Sequence, residues 1–399
     1  MHPVVIVGAS VGGSITAETL ANAGVPVIMI EKDLSRIKPC GGAVPPVAFS
    51  EFAIPQSLIS RKIAKALIHS PSGRKVNIDV VGLDHSPEDY IAMVCREDFD
   101  GYLRQRAVNT GASLIEGALI DIKIDNEGVD VQYRERASGQ LQRIRASVVI
   151  GADGAYSPTA KLLGLPNLPR CTAIQERWRI PEAHLGRWRD TADLFLGAEV
   201  SPDLYAWAFP KADHITIGIG TGPAHSKRAR ELLNNLKQRI GADLTHGEMY
   251  LEEAHALPMT PRPHMAFNRA MLIGDAAGLV VNTSGEGIYW AMKSGQMAAQ
   301  TLIDALPDTS ERALRRYEQA YWRQYGTMYK FLSWLEKWGY GSNRQMEVFT
   351  DMCRNLDVQR YTFESYMHKR YTPLPWLRQM SMTGDMIRVQ AKHFLASPR

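Results

Sequence analysis

Short apolar runs alternate with small-residue stretches at the start of the chain, a pattern typical of parallel β-strands joined by helices. The β-branched run VVIV at residues 4–7 predicts a strand that is buried on both faces. A glycine turn follows, then a helix of small residues that ends at Gly24, and the run VPVIMIEK predicts a second parallel strand that ends at Glu31. A strand, a helix and a strand within about 30 residues form the βαβ unit of dinucleotide-binding folds.

The middle of the chain carries two other patterns. The stretch RIKPCGGAVPP, within residues 36–50, is too rich in glycine and proline for regular structure. Helical periodicity over residues 96–112 predicts a helix, and alternation from residue 120 onward predicts a β-meander that returns to a buried strand at residues 146–150. Residues 170–261 mix strands with one amphipathic helix, and the chain from about residue 310 is mostly helical in pattern.

This order predicts an α/β protein in which a sheet-based domain is inserted into a discontinuous nucleotide domain. We expect a Rossmann-like nucleotide domain at residues 1–65, 93–165 and 262–305, an antiparallel-sheet substrate domain at residues 66–92 and 170–261, and a helical C-terminal region at residues 306–399.

Composition narrows the class of protein. The chain has 399 residues, 45% apolar and 22% charged, and a net charge of +4, which indicates a globular protein and does not favour a nucleic-acid partner. Its cysteines lie far apart, so we expect a reducing compartment, no disulfide framework and no metal site; they are Cys40, Cys95, Cys171 and Cys353. We expect neither a signal peptide nor a membrane-spanning helix.

The first turn departs from the GxGxxG fingerprint of dinucleotide sites, because Ser10 stands between Gly8 and Gly13 where the second glycine is expected. A serine adds one small Cβ there, and its hydroxyl is able to donate to a phosphate oxygen. Glu31, at the end of the second strand, is the carboxylate expected to accept from ribose hydroxyls; the alternative is an ordinary surface residue at a strand end.

Two further glycine turns follow buried strands and favour FAD over NAD, because a long cofactor needs contacts from separate segments. VVIGADGA contains Asp153 and Gly154, and MLIGDAAG contains Gly274 and Asp275. We expect the carboxylate of Asp275 to accept a hydrogen bond from a ribityl hydroxyl. Plain turns are the alternative. The segment Gly285-Glu286-Gly287 opens the helix IYWAMKSGQMAAQ, whose positive end is expected to face the flavin pyrimidine.

An aromatic strand offers a substrate surface. Tyr205, Trp207 and Phe209 recur at period two, so their rings point to one face of a sheet and would form a wall for a long apolar substrate. The alternative is a sheet face that packs on a helix.

Taken together, these motifs resemble those of the geranylgeranyl reductases, flavoproteins of the p-hydroxybenzoate-hydroxylase-like superfamily, and most closely the branch that forms the phytyl tail of chlorophylls and bacteriochlorophylls. The resemblance rests on the aromatic signature with Pro210, Gly218 and Gly220, and on segments in the family's order: KPCGGAVP, MVCREDFDGYLR, GADGAYS, QERWRIPE, EAHALPMTPRP, LIGDAAG, SGEGIYWAMKS and DMCRNLDVQRYTFESYM. The departures are Ser10, Val11 and Gly12, where the family usually has G-P-A, and Lys32, where it usually has arginine.

The resemblance implies stepwise reduction of three of the four double bonds of a geranylgeranyl chain, carried as the diphosphate or on the pigment, with electrons from NADPH or reduced ferredoxin passing through FAD. It implies a cytoplasmic location or peripheral association with a photosynthetic membrane, and contact with other pigment-biosynthesis enzymes. The tail at residues 373–394 is expected either to lie on a membrane, with Arg388 and Lys392 on its wet side, or to dock on the protein.

The resemblance also implies residue roles. Cys40, Gly41 and Gly42 belong to a loop expected near the flavin, with Cys40 as the proton donor to the alkene; a structural cysteine is the alternative. Arg96 resembles an arginine of the family that contacts the cofactor; the alternative is that it forms a surface salt bridge. Lys32 is grouped with the cofactor-binding residues. Lys211 and Arg262 are candidates for a diphosphate or carboxylate, although we favour solvated surface charge for both.

Other functions stay open from sequence alone. They are a flavin monooxygenase, a reductase of quinone tails or archaeal-type lipids, and a non-catalytic prenyl-binding assembly factor. The favoured hypothesis requires an apolar corridor that reaches the hydride-bearing edge of a flavin, bordered by the loop of Cys40.

Overall fold

The computed structural model describes residues 2–80, 90–281, 283–369, 384–386, 388–390 and 392–393. The chain divides into two compact units, each built from three segments. Unit 1 comprises Met1–Lys38, Arg96–Arg170 and Ala256–Lys330, and unit 2 comprises Pro39–Cys95, Cys171–His255 and Phe331–Arg399.

The strands in the described residues are Val4–Val7 (β1), Val27–Glu31 (β2), Ala43–Val44 (β3), Arg61–Ile63 (β4), Lys65–His69 (β5), Lys75–Asp79 (β6), Ile91–Met93 (β7), Ser113–Ile124 (β8), Val129–Glu135 (β9), Leu141–Ala146 (β10), Val148–Gly151 (β11), Arg170–Arg179 (β12), Thr191–Gly197 (β13), Ser201–Pro210 (β14), Ile215–Thr221 (β15), Glu248–Pro258 (β16), Ala266–Phe267 (β17) and Ala270–Leu272 (β18). The α-helices are Val11–Asn22 (α1), Val47–Glu51 (α2), Arg96–Asn109 (α3), Pro158–Leu162 (α4), Ala229–Ile240 (α5), Ile288–Ala305 (α6), Glu311–Gly339 (α7), Asn343–Met352 (α8) and Leu356–Phe363 (α9).

Unit 1 is built around an eight-stranded sheet in the order β10-β9-β8-β2-β1-β11-β18-β17. The five strands from β8 to β18 run parallel, which is the arrangement that buries both faces. Residues 4–6 of β1 are accordingly inaccessible to solvent. Small residues on α1 allow α6 to approach closely, since a Cβ added to Gly12 would lie 2.9 Å from the carbonyl oxygen of Ala291.

Unit 2 contains a seven-stranded sheet in the order β16-β12-β15-β14-β13-β5-β6 and a three-stranded sheet in the order β3-β7-β4. The pair β13 and β5 is parallel, and β14 is antiparallel to both of its neighbours. One face of the larger sheet packs on α5, whose leucines and Ile240 are buried while its charged residues are exposed or half-buried. This division of faces follows from the two periods, 3.6 along the helix and 2 along the strands.

Most of the predicted elements are confirmed, namely β1, α1, β2, α3, the meander β8–β11 and α5. The expectation of no regular structure in residues 36–50 is wrong, because β3 and most of α2 lie there. Pro45 and Pro46 do not prevent this, since Pro46 stands at the N-cap of α2, where a missing N–H is harmless.

The two units differ from the expected domain limits most of all in two segments. Residues 39–65 belong to unit 2 rather than to the nucleotide domain, and the C-terminal helical region is divided at Lys330. The tail at residues 373–394 lies outside the described residues except for three short helical pieces that include Arg388 and Lys392. No helix in the described part of the chain is both long and apolar enough to cross a membrane.

Truncation of Leu236 tests the packing of α5. Leu236 is fully buried, so we expect Leu236→Ala to lower the free energy of unfolding by about 2–5 kcal/mol through lost transfer energy and a residual cavity. Leu356→Ala is the matched control, because Leu356 is also helical but 62% exposed, and it should cost less than about 0.5 kcal/mol. Equal shifts of the two variants in urea denaturation would contradict the packing described here.

Candidate active site

The turn between β1 and α1 forms a cradle of backbone. Gly8 has a φ of +102°, which favours glycine, and a Cβ on Gly13 would overlap the carbonyl oxygen of Gly8. The N-terminus of α1 therefore lies directly against the end of β1, with its N–H groups and positive dipole end at the turn. These features fit a pyrophosphate group.

Two side chains brace this turn. Glu31 accepts a hydrogen bond from the backbone N–H of Ala9 at 2.7 Å, so its carboxylate lies at the turn as well as at the end of β2. Arg104 donates from Nε to the carbonyl oxygen of Ala9 at 3.1 Å and from Nη1 to that of Leu34 at 3.3 Å. Sequence reasoning missed Arg104, because only the packing of α3 beside α1 brings it to the turn.

Ser10 and Arg96, both predicted to bind the cofactor, are in contact with each other. Arg96 is 3% exposed and pairs with Asp100, with Nε to Oδ1 and Nη2 to Oδ2 both at 2.6 Å. Ser10 Oγ donates to Asp100 Oδ2 at 2.7 Å and accepts from Arg96 Nη2 at 3.0 Å. The hydroxyl of Ser10 is thus bonded to Asp100, and the alternative of Arg96 as a surface salt bridge is wrong, because Arg96 is buried.

The two aspartates of the later glycine turns differ in their partners. Asp153 accepts from Ser157 Oγ at 2.5 Å and from the N–H of Thr159 at 2.7 Å, at the start of α4. Burial raises the pKa of Asp153, and these two hydrogen bonds oppose that rise. Asp275 pairs with Lys38, Nζ to Oδ2, at 2.6 Å.

The other predicted cofactor residues of unit 1 lie at or near strand and helix ends, whereas Cys40, Gly41 and Gly42 lie in unit 2. Gly154 follows β11, Gly274 follows β18, and the residues Gly285, Glu286 and Gly287 directly precede α6, as expected. Lys32, just after β2, is exposed. The glycine turns at the ends of β1, β11 and β18 share one edge, because these three strands are parallel neighbours in the sheet.

In unit 2 the aromatic strand carries a row of three rings. The ring centroids of Tyr205 and Trp207 lie 6.0 Å apart, and those of Trp207 and Phe209 lie 6.3 Å apart. Trp207 pairs with Gly218 of β15, and a Cβ on Gly218 would lie 2.6 Å from Cε2 of the indole. Gly218 therefore leaves room for the indole to lie across β15.

The prediction that the three rings share one face is confirmed, and α5 covers the opposite face, where Ala206 and Ala208 are buried. The alternative of helix packing holds in part, because Tyr205 packs against a buried cluster that includes Met346 of α8. Phe209 packs against the three-stranded sheet. Trp207, between them, faces the loop of Cys40, since a Cβ on Gly41 would lie 3.5 Å from its Nε1.

The loop of Cys40 is held by hydrogen bonds within unit 2. The N–H of Gly42 donates to Cys40 Sγ at 3.3 Å. The carbonyl oxygen of Cys40 accepts from Gln175 Nε2 at 3.3 Å and from Lys211 Nζ at 3.4 Å. Gln175, on β12, pairs with Gly218; it opens the segment QERWRIPE, to which the sequence assigned no role in the site.

The interpretation of Lys211 and Arg262 as solvated surface charges is wrong. Lys211 is 1% exposed, and its side chain lies under the loop of Cys40, with Cε 2.8 Å from the position of a Cβ on Gly42. Arg262 is 6% exposed and donates to the carbonyl oxygens of Ala276 and Pro166, both at 2.7 Å.

A grouping that sequence spacing did not indicate lies near Lys211. Cys95, Asp213 and His214 bring ligand atoms within 4.8 Å of one another. Burial, and then the charge of Lys211, lower the pKa of His214, although Asp213 acts in the opposite direction. The positive charge of Lys211 also disfavours the binding of a metal cation by these three residues.

Comparisons with known proteins agree with this geometry. Residues 1–178 match the family described as FAD binding domain. The chain is 37% identical over 396 residues to a geranylgeranyl diphosphate reductase from Synechocystis sp., covering 96% of each chain. It is 36% identical to the chloroplastic geranylgeranyl diphosphate reductase of Arabidopsis thaliana, covering 97% of this chain and 86% of that one.

Among solved structures, a geranylgeranyl bacteriochlorophyll reductase-like protein from Thermoplasma acidophilum matches with a TM-score of 0.75 and 22% identity over 99% of this chain and 97% of that one. These matches confirm the predicted α/β fold with a Rossmann-like FAD-binding domain and an inserted sheet.

Substitution of Gly218 tests the seat of Trp207. We expect Gly218→Ala to displace the indole and to lower the free energy of unfolding by about 1–3 kcal/mol, because the added methyl overlaps the ring. Gly220→Ala is the matched control two residues along β15, where the nearest atom is the flexible Leu204 Cδ1 at 3.3 Å. Near-ultraviolet circular dichroism and urea denaturation should change for the first variant alone; equal behaviour would contradict the contact.

Proposed function

The chain belongs to the geranylgeranyl diphosphate reductase family, and we propose that it is an FAD-dependent enzyme that saturates three double bonds of a geranylgeranyl chain to give a phytyl chain. The substrate is geranylgeranyl diphosphate or a geranylgeranylated pigment, and the reaction serves the synthesis of chlorophyll or bacteriochlorophyll. NADPH or reduced ferredoxin supplies the electrons. The protein works in the cytoplasm or at the surface of a photosynthetic membrane, beside other enzymes of pigment synthesis.

The observation that carries this proposal is the row of Tyr205, Trp207 and Phe209. A prenyl chain offers no polar group to recognise, so its binding depends on apolar area, which aromatic rings supply at low conformational cost. The row lies beside the loop of Cys40 within unit 2, and α5 covers the other face of the sheet. We assign the row, with Pro210, Gly218 and Gly220, to the prenyl chain.

The backbone cradle of unit 1 supports FAD as the cofactor. The N–H groups at the start of α1 would hold the pyrophosphate, and Glu31 would accept from the ribose. FAD, when bound and reduced, would supply the hydride. The residues that we assign to cofactor binding are Gly8, Ser10, Gly13, Glu31, Lys32, Cys40, Gly41, Gly42, Arg96, Asp153, Gly154, Gly274, Asp275, Gly285, Glu286 and Gly287.

Cys40 is assigned as the proton donor. An isolated alkene accepts hydride poorly because nothing stabilises a carbanion, so a proton must reach the less substituted carbon and leave a tertiary carbon that accepts the hydride. The thiol of Cys40 gives up that proton and becomes a thiolate. The N–H of Gly42, 3.3 Å from Sγ, would stabilise this thiolate, and Gln175 and Lys211 hold the loop in place.

The reaction class is tested with the purified protein, FAD and dithionite. We expect geranylgeranyl diphosphate or the geranylgeranylated pigment to gain two hydrogens up to three times, as read by mass spectrometry. Replacing dithionite by NADPH or by reduced ferredoxin identifies the donor. A protein that binds no FAD on reconstitution would support the assembly-factor alternative, and oxygen-dependent hydroxylation of an aromatic compound would support a monooxygenase.

Cys40→Ser tests the proton donor. Because a hydroxyl is a far weaker acid than a thiol, we expect the variant, when saturated with FAD, to lose alkene reduction by about 10²–10⁴-fold. Cys95→Ser is the matched control, since Cys95 is also half-buried in unit 2 and should keep full activity. Full reduction by Cys40→Ser would remove this cysteine from the chemistry.

A further inference from the structure

Ser10 occupies a position where its hydroxyl would ordinarily cap α1. It is the N-cap residue, and the side chain of an N-cap serine usually accepts from the second or third N–H of the helix, here those of Gly12 and Gly13. Within the described part of the chain, Ser10 Oγ makes no such bond. Its hydroxyl is turned instead toward α3, where it joins Arg96 and Asp100.

The three side chains form a closed network. Ser10 donates to the carboxylate of Asp100 and accepts from the guanidinium of Arg96, while two hydrogen bonds join Arg96 to Asp100. Burial by itself would raise the pKa of Asp100, but Arg96 and then Ser10 outweigh it, so the pKa lies below its usual range. The network therefore contains a charged, buried ion pair whose geometry the serine completes.

A glycine at position 10 would remove one hydrogen bond from each partner. Asp100 Oδ2 would lose one of its donors and Arg96 Nη2 one of its acceptors, so the bond between these two atoms would remain but the serine would no longer fix its position. The hydroxyl thus has two effects: it holds the guanidinium of Arg96 beside the turn, and it leaves the N–H groups of Gly12 and Gly13 to an anion.

We propose that Ser10 is a positioning residue for FAD, which acts through Arg96 and Asp100 and makes the departure from the GxGxxG fingerprint a contribution to cofactor affinity. The proposal rests on the FAD-binding part of the proposed function. If the proposal is right, restoring the usual glycine at position 10 should weaken FAD binding. If the serine is merely tolerated at this position, glycine should instead strengthen FAD binding.

The test is titration of apoprotein with FAD, followed by flavin fluorescence. We expect Ser10→Gly and Ser10→Ala each to raise the dissociation constant about tenfold, and Ser10→Thr, which keeps the hydroxyl, to stay within about threefold of the wild type. Ser138→Ala is the control, because Ser138 also donates to a carboxylate, that of Glu135, on an exposed turn. Equal or tighter binding by Ser10→Gly overturns the proposal.

A double-mutant cycle separates this role from a general structural one. In an Asp100→Asn background, Ser10→Ala should raise the dissociation constant by less than about twofold, because its partner is already changed; additive losses would overturn the proposal. The melting temperature of the apoprotein should fall for Ser10→Ala, because the hydrogen bonds to Asp100 and Arg96 are lost, and the increase on adding FAD should shrink as well, which a purely structural role would not cause. A wild-type protein that binds no FAD overturns both this proposal and the proposed function, whereas FAD binding with a neutral Ser10→Gly overturns this one alone.

Discussion

The close approach of backbone at the turn between β1 and α1 is the constraint on which unit 1 depends. A helix start can offer its N–H groups to a pyrophosphate only if the turn before it leaves no Cβ in the way, and Gly8 and Gly13 meet that condition at the two points of contact. The surrounding side chains hold this turn in place. Glu31 and Arg104 bind the backbone of Ala9 from opposite sides, one as acceptor and one as donor.

Small residues at points of close contact are equally important in unit 2. Ala206 and Ala208 allow α5 to pack on one face of the sheet, and Gly218 allows Trp207 to lie flat on the other. The indole in turn lies against Gly41, so the aromatic row and the loop of Cys40 are a single packed assembly rather than two motifs. The function proposed above depends on this assembly, because it assigns the apolar area to the prenyl chain and the thiol to proton donation.

Much of this arrangement could be predicted from the sequence. The βαβ unit, the three glycine turns and the row of rings follow from local periodicity and from turn chemistry, and so do Gly8, Gly13 and Glu31 as parts of one site. The residues that escaped prediction share one property, which is that their partners are distant in sequence. Arg104 reaches Ala9, Gln175 reaches Cys40, and Lys211 reaches the same carbonyl oxygen from the residue after β14.

The sequence by itself therefore determined the class of fold, the positions of the glycine turns and the face on which the rings lie, because each of these depends on the spacing of neighbouring residues. Only the tertiary structure decided what the polar side chains do. Ser10 reads as a defect in a fingerprint until α3 brings Asp100 to within 2.7 Å of its hydroxyl. Lys211 and Arg262 read as surface charges until the fold buries them, because burial is set by all the elements that pack on a residue and not by its neighbours in the chain.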